Sequence, residues 1–217
     1  MTTPIGICKI DLEAAIATGN ALLKPKGETF AIEPHMTPVL EKLIRWHNPS
    51  STFPTMRRGY MLTGKPGSSK TTLMRIFNQL AAEADRCTFY DAQDIAVKYS
   101  QGGWPALDKL INAYYLPNGI KSHVWIDDIG TEDPVMWVEA GFTKSKMTDC
   151  IPYIVHKLAI KFERQGVRLH ATTNMSEDQL MQRYDARTFS RLKGLMDWLP
   201  CGIGSDDRDF RVRPEVG

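Results

Sequence analysis

Gly64-Lys65-Pro66-Gly67-Ser68-Ser69-Lys70-Thr71-Thr72 gathers glycines, small hydroxyls and two lysines into one short turn. Residues of these types can grip a polyphosphate. Successive backbone N–H groups in a Gly-rich turn form an anion nest, and a helix opening behind it adds the positive end of its dipole. Lys70 then reaches the β- and γ-phosphates of a nucleotide such as ATP, and the Thr71 hydroxyl can ligate Mg²⁺. The strict phosphate-loop pattern has Gly immediately before that lysine, where this chain has Ser69. Glycine takes unusual dihedrals more readily than serine, so a weakened loop is expected, not an abolished one. A Gly/Ser-rich surface turn is the plainer alternative, and the flanking sequence argues against it.

A second group is Asp127-Asp128, which follows the apolar run Val124-Trp125-Ile126 and precedes Ile129-Gly130. Carboxylates at the C-terminal end of a buried strand stand where open α/β sheets bind ligands. Asp127 is expected on Mg²⁺ through its water shell, and Asp128 is expected to orient or deprotonate an attacking water. An Asp-Asp turn is common by itself; behind a phosphate loop it reads as the second half of a hydrolytic site. The third group, Thr172-Thr173-Asn174, ends another apolar run. At that edge the Asn174 amide can hold both the γ-phosphate and the attacking water. Ser176, followed by Glu177 and Asp178, reads as the next N-cap.

The elements that must position these groups are legible from periodicity. Gly59–Thr63 reads as a buried strand, and Leu73, Ile76, Phe77, Leu80, Ala81 and Ala84 share one helical face. Strands are expected at 87–90, 123–126, 167–174 and 198–203. Helices are expected at 91–99 and 104–115, parted by Gly102-Gly103, and at 154–162, closed by Gly166. Residues 131–152 read as a loop with room for one short helix. This alternation argues for an α/β fold with a parallel sheet. Thr37-Pro38 caps and opens a helix through Trp46. Residues 1–35 form an N-terminal arm, where Gly19-Asn20 is expected to interrupt a helix capped by Asp11. Residues 36–217 form the nucleotide-binding domain. Arg187, Ser190, Arg191 and Lys193 crowd a short basic helix whose plain reading is a solvated face.

Composition bounds the rest. The 217 residues carry a net charge of +2, so any DNA contact must come from local clusters such as Arg57-Arg58 and Lys144/Lys146. Cys8, Cys87, Cys150 and Cys201 are scattered without metal spacing and read as reduced thiols of a cytoplasmic protein. No apolar stretch approaches membrane-spanning length, and no membrane partner is expected.

Gly64–Thr71, Val124–Gly130, Thr172-Thr173-Asn174-Met175-Ser176 and Ser190-Arg191-Leu192, in that order and spacing, resemble the AAA+ ATPases of the bacterial helicase-loader type (DnaC-like), kin of the IstB-like transposition ATPases. The resemblance covers roughly residues 36–213. It implies a P-loop sheet of about five parallel strands sandwiched by helices, without a C-terminal helical lid. It further implies ATP hydrolysis at the subunit interfaces of a homo-oligomer, with single-stranded DNA in the central channel. By position, Lys70 and Thr71 bind phosphate and Mg²⁺, Asp127 and Asp128 handle metal and water, and Asn174 senses the γ-phosphate. Arg191 is the arginine finger supplied to a neighbour, with Arg187 its rival.

The leading expectation is therefore an ATPase that loads or remodels a replicative helicase. The alternatives are an IstB-like regulator partnered with a transposase, and a nucleotide-gated adaptor with little hydrolysis because of Ser69. A small-molecule kinase fits the Asn174 strand and Arg191 less well.

Overall fold

The computed structural model describes residues 11–32, 34–47, 58–81, 86–112, 123–136 and 147–202. The chain opens with α1 (Leu12–Leu23), capped by the Asp11 carboxylate, which accepts the Ala14 N–H at 2.9 Å. Two 3₁₀ turns, Lys24–Lys26 and Pro34–Met36, lead to α2 (Thr37–His47). The expected break at Gly19-Asn20 does not occur, because both residues serve the returning arm. A Cβ on Gly19 would lie 2.4 Å from the Phe30 ring, and Asn20 Oδ1 accepts the Phe30 N–H at 2.8 Å. The arm is therefore packed: Ala15, Phe30 and Met36 belong to the core with α2.

β1 (Gly59–Thr63) feeds the phosphate loop and α3 (Lys70–Leu80). β2 (Cys87–Asp91) leads to α4 (Ala92–Asn112), which bends where Gly103 leaves helical geometry at φ 58, ψ −151; Pro105 opens its second half. β3 (His123–Asp127) is buried along its whole length. The segment expected to be a loop instead holds β4 (Val135–Met136), paired antiparallel with β5 (Met147–Thr148). α5 (Cys150–Gln165) then starts earlier than its apolar spacing suggests and ends on left-handed Gly166. β6 (Leu169–Thr173), α6 (Glu177–Arg183), α7 (Ala186–Leu195) and β7 (Met196–Pro200) complete the described chain. The last strand thus begins and ends before its expected bounds of 198–203.

The main sheet has the order β2-β3-β6-β1-β7, and every pair is parallel. Strand alternation assigns its two faces. Met61, Val124, Ile126, Leu169, Ala171 and Met196 pack under α4, α5, α6 and α7. Leu62, Trp125 and Leu199 pack under α1, α2 and α3. Because β6 lies between β1 and β3, the chain segments leaving all three strands meet at one sheet edge. No described helix is long and apolar enough to cross a membrane.

Candidate functional site

The phosphate loop leaves β1 through Gly64, held at φ 153, and Gly67, at φ 85. At Gly64 a Cβ would sit 2.2 Å from the Cys201 carbonyl oxygen, so the backbone beyond β7 excludes any side chain there. Ser69 occupies the left-handed region at φ 62, ψ 14, and its carbonyl accepts the first turn's N–H from Leu73 at 2.9 Å. The Ser69 side chain makes no capping hydrogen bond. Lys70 is nearly buried. Its ammonium donates to Gly64 O (2.8 Å), Lys65 O (2.9 Å), Ser68 Oγ (3.2 Å) and Asn174 Oδ1 (2.8 Å).

At the end of β3, Thr71 Oγ1 lies 3.2 and 3.0 Å from the two carboxylate oxygens of Asp127. Burial raises the Asp127 pKa; hydrogen bonds from Thr172 and Thr71 pull it back, and the neighbouring Asp128 adds to the rise. Asp128 turns the chain at φ 53 and is less buried. Asn174 ties the groups together: its Oδ1 accepts from Lys70 while its Nδ2 donates to Asp128 Oδ1 at 3.1 Å. A hydroxyl and a carboxylate, both hard oxygen donors, suit Mg²⁺, which takes few protein ligands and completes its shell with phosphate and water. The residues present fit that ion.

A cavity of about 920 Å³ opens over this cluster. Gly67, Ser69, Lys70, Thr71, Asp128 and Asn174 line one side. Leu23, 26–31 and Met36 of the N-terminal arm, which sequence reasoning left unassigned, also line the cavity. Nothing in the arm's composition marks it as a wall; Gly19 packing against Phe30 and the Asn20–Phe30 hydrogen bond hold it there.

Sequence reasoning also missed a buried polar cluster behind Asp128. The Glu132 carboxylate, only 2% exposed, accepts the Gly130 N–H (2.9 Å) and the Tyr184 hydroxyl (2.6 Å). Arg183 pairs with Asp149 and donates to the Glu132 carbonyl at 2.7 Å. Burial pushes the Glu132 pKa up, whereas the Arg183 charge is favoured chiefly by Asp149. Arg183 thus pairs with Asp149 and, at 3.6 Å, with Glu132 Oε1, whose buried carboxyl is otherwise held by hydrogen bonds. An acidic residue in a stretch without periodicity gives no signal of this.

Arg191 does not line the cavity of its own chain. It sits half-buried on α7 and, with Arg187, disfavours protonation of His156 on α5, whose pKa burial already lowers. Of the basic clusters expected to meet DNA, Arg58 is exposed and pairs with Asp197 at 3.5 Å. Arg57, Lys144 and Lys146 lie outside the described residues.

Neither a family model nor a curated protein matches the chain. Solved structures do match its fold. A DnaC helicase loader is 15% identical, with a TM-score of 0.56 over 80% of this chain and 93% of its own. DnaI is 18% identical at the same TM-score, over 92% and 94%. The replication initiator DnaA, bound to AMPPCP and single-stranded DNA, is 13% identical with a TM-score of 0.53; this chain covers 49% of it and is itself covered over 81%. The chain has the fold of P-loop AAA+ proteins.

Proposed function

We propose that the protein is a Mg²⁺-dependent ATPase acting on DNA in the cytoplasm, as a loader of a replicative helicase or a similar replication accessory factor. The observation that carries this reading is the Asn174 side chain, which joins Lys70 of the phosphate loop to Asp128 of β3. A lone phosphate-binding turn needs no such bridge; a site that must align water with a γ-phosphate does.

In this reading the loop N–H groups and Lys70 hold the β- and γ-phosphates of ATP. Thr71 and Asp127 hold Mg²⁺, whose chemistry there is neutralisation of phosphate charge. Asp128 takes or directs the proton of the attacking water, and Asn174 fixes that water against the γ-phosphate. Arg191 acts on the site of a neighbouring subunit in a homo-oligomer, and single-stranded DNA is the polymer bound. The shared fold with a helicase loader and with an initiator solved on single-stranded DNA supports the replication setting over the transposase-partnered alternative.

One observation favours a second reading. Ser69 holds a left-handed conformation that glycine adopts without strain, which favours a nucleotide-gated adaptor with little turnover. ATP turnover measured with and without single-stranded DNA separates the two. Mg²⁺-dependent turnover that rises with DNA supports the ATPase. Tight ATP binding with no turnover under either condition refutes it in favour of the adaptor.

A further inference from the structure

Thr172 stands in the middle of β6's exit, and its side chain is fully buried. The hydroxyl is engaged twice, toward two different catalytic candidates. It donates to Asp127 Oδ1 and accepts the Asp128 N–H at 2.9 Å. The backbone around it is closed as well: the Ile129 N–H donates to Thr172 O at 2.9 Å, and Thr173 Oγ1 donates to Ile129 O at 2.7 Å.

These contacts set the two carboxylates apart. With Thr172 on Oδ1 and Thr71 reaching both oxygens, the Asp127 carboxylate has one fixed rotation. The Asp128 N–H anchored on the same hydroxyl holds its backbone at φ 53, the turn that sends its carboxylate to Asn174 rather than along the strand. A single hydroxyl thus fixes both the metal-facing and the water-facing group. A methyl in its place would fill the same volume and leave the half-buried Asp128 N–H without that acceptor.

We propose that Thr172 is a positioning residue for Mg²⁺ capture, acting through Asp127 and Asp128 without touching nucleotide itself. This rests on the ATPase reading of the site. Groups that orient a metal's ligands change metal affinity or activity by roughly 10–100-fold when removed.

The test uses the full chain and a fluorescent ATP analogue, titrated in EDTA and across a Mg²⁺ series, with thermal melting alongside. Thr172→Val is expected to bind analogue in EDTA like wild type and to need about tenfold more Mg²⁺ for half-maximal tightening. Thr172→Ser keeps the hydroxyl and should restore the wild-type Mg²⁺ midpoint even if its melting temperature drops. A residue that only packs the core gives the reverse pattern, with melting shifts and an unmoved midpoint. If Thr172→Val does not fold, Thr172→Cys, with its weak donor, decides the point in the same titration. A Mg²⁺ midpoint in Thr172→Val, or failing that Thr172→Cys, equal to wild type overturns the proposal while leaving the ATPase reading intact. So does a Thr172→Ser midpoint shifted as far as that variant's. Failure of wild type to bind the analogue with Mg²⁺ overturns both.

Discussion

Replacing Ser69 with glycine probes the loop at its most strained point. Ser69 is held at φ 62, ψ 14, and its side chain makes no capping hydrogen bond that the change would remove. A non-glycine residue in the left-handed region costs about 1–2 kcal/mol. Glycine avoids this but frees the unfolded chain, which offsets about 0.4–1 kcal/mol and leaves a net gain of about 0–1.6 kcal/mol, or about 0.8 at the midpoints. For a chain of this size the midpoint gain corresponds to a melting temperature higher by about 2–3 °C. The same relief should let the loop adopt its phosphate-binding form without distortion. Ser69→Gly is therefore expected to bind ATP at least as tightly as wild type and to hydrolyse it faster. Ser69→Ala keeps the Cβ and loses the hydroxyl, so it should show neither gain. Calorimetric melting and a coupled phosphate-release assay on the three proteins decide the matter. A clear fall in turnover with Ser69→Gly would refute the strain argument and assign the hydroxyl a needed hydrogen bond.

Asp128→Asn should retain ATP affinity and lose hydrolysis, since in the proposed site its carboxylate, bonded to Asn174, serves the attacking water; equal turnover in a phosphate-release assay would make Asp128 a turn residue. Glu132 carries a pH signature. Its folded pKa is raised by burial, so the stability it contributes is complete below its unfolded pKa and is lost as pH rises through the folded value. Glu132→Gln cannot ionise, so its melting temperature relative to wild type should climb as pH rises above about 4.3, the unfolded value; a difference that stays flat as pH rises counts against the burial argument. Mixing Lys70→Ala with Arg191→Ala should restore ATPase activity above the sum of the two alone, because Arg191 of the first can face an intact loop in the second. Co-assembly without restored activity would remove Arg191 as a finger in trans.

The parts of this site that repeat a local pattern are legible in the amino-acid sequence. The apolar run Val124-Trp125-Ile126 announces a buried strand, and the strand places Asp127 and Asp128 at its end. Ser176 and Gln179 form a capping box at the helix start that Ser-Glu-Asp suggests. What escapes depends on contacts far apart in the chain. Gly19-Asn20 has the composition of a helix breaker, yet Phe30 uses the missing Cβ and the Asn carbonyl, so the helix continues. Glu132 reads as a loop acid, yet Arg183 and Tyr184, 51 and 52 positions on, close over it. Thr172 and Thr173 are visible as residues, but only the β3–β6 pairing shows which hydroxyl meets which aspartate.

The claim beneath all of this is that the loop from Gly64 to Thr72 binds ATP with Mg²⁺ through Lys70. Calorimetric titration of Mg²⁺-ATP into wild type and Lys70→Ala, with melting curves to confirm that both are folded, tests it directly. Each charge-assisted hydrogen bond to phosphate contributes about 1.5–3 kcal/mol, so the variant should bind at least about tenfold more weakly. Equal affinity in two folded proteins would contradict the account.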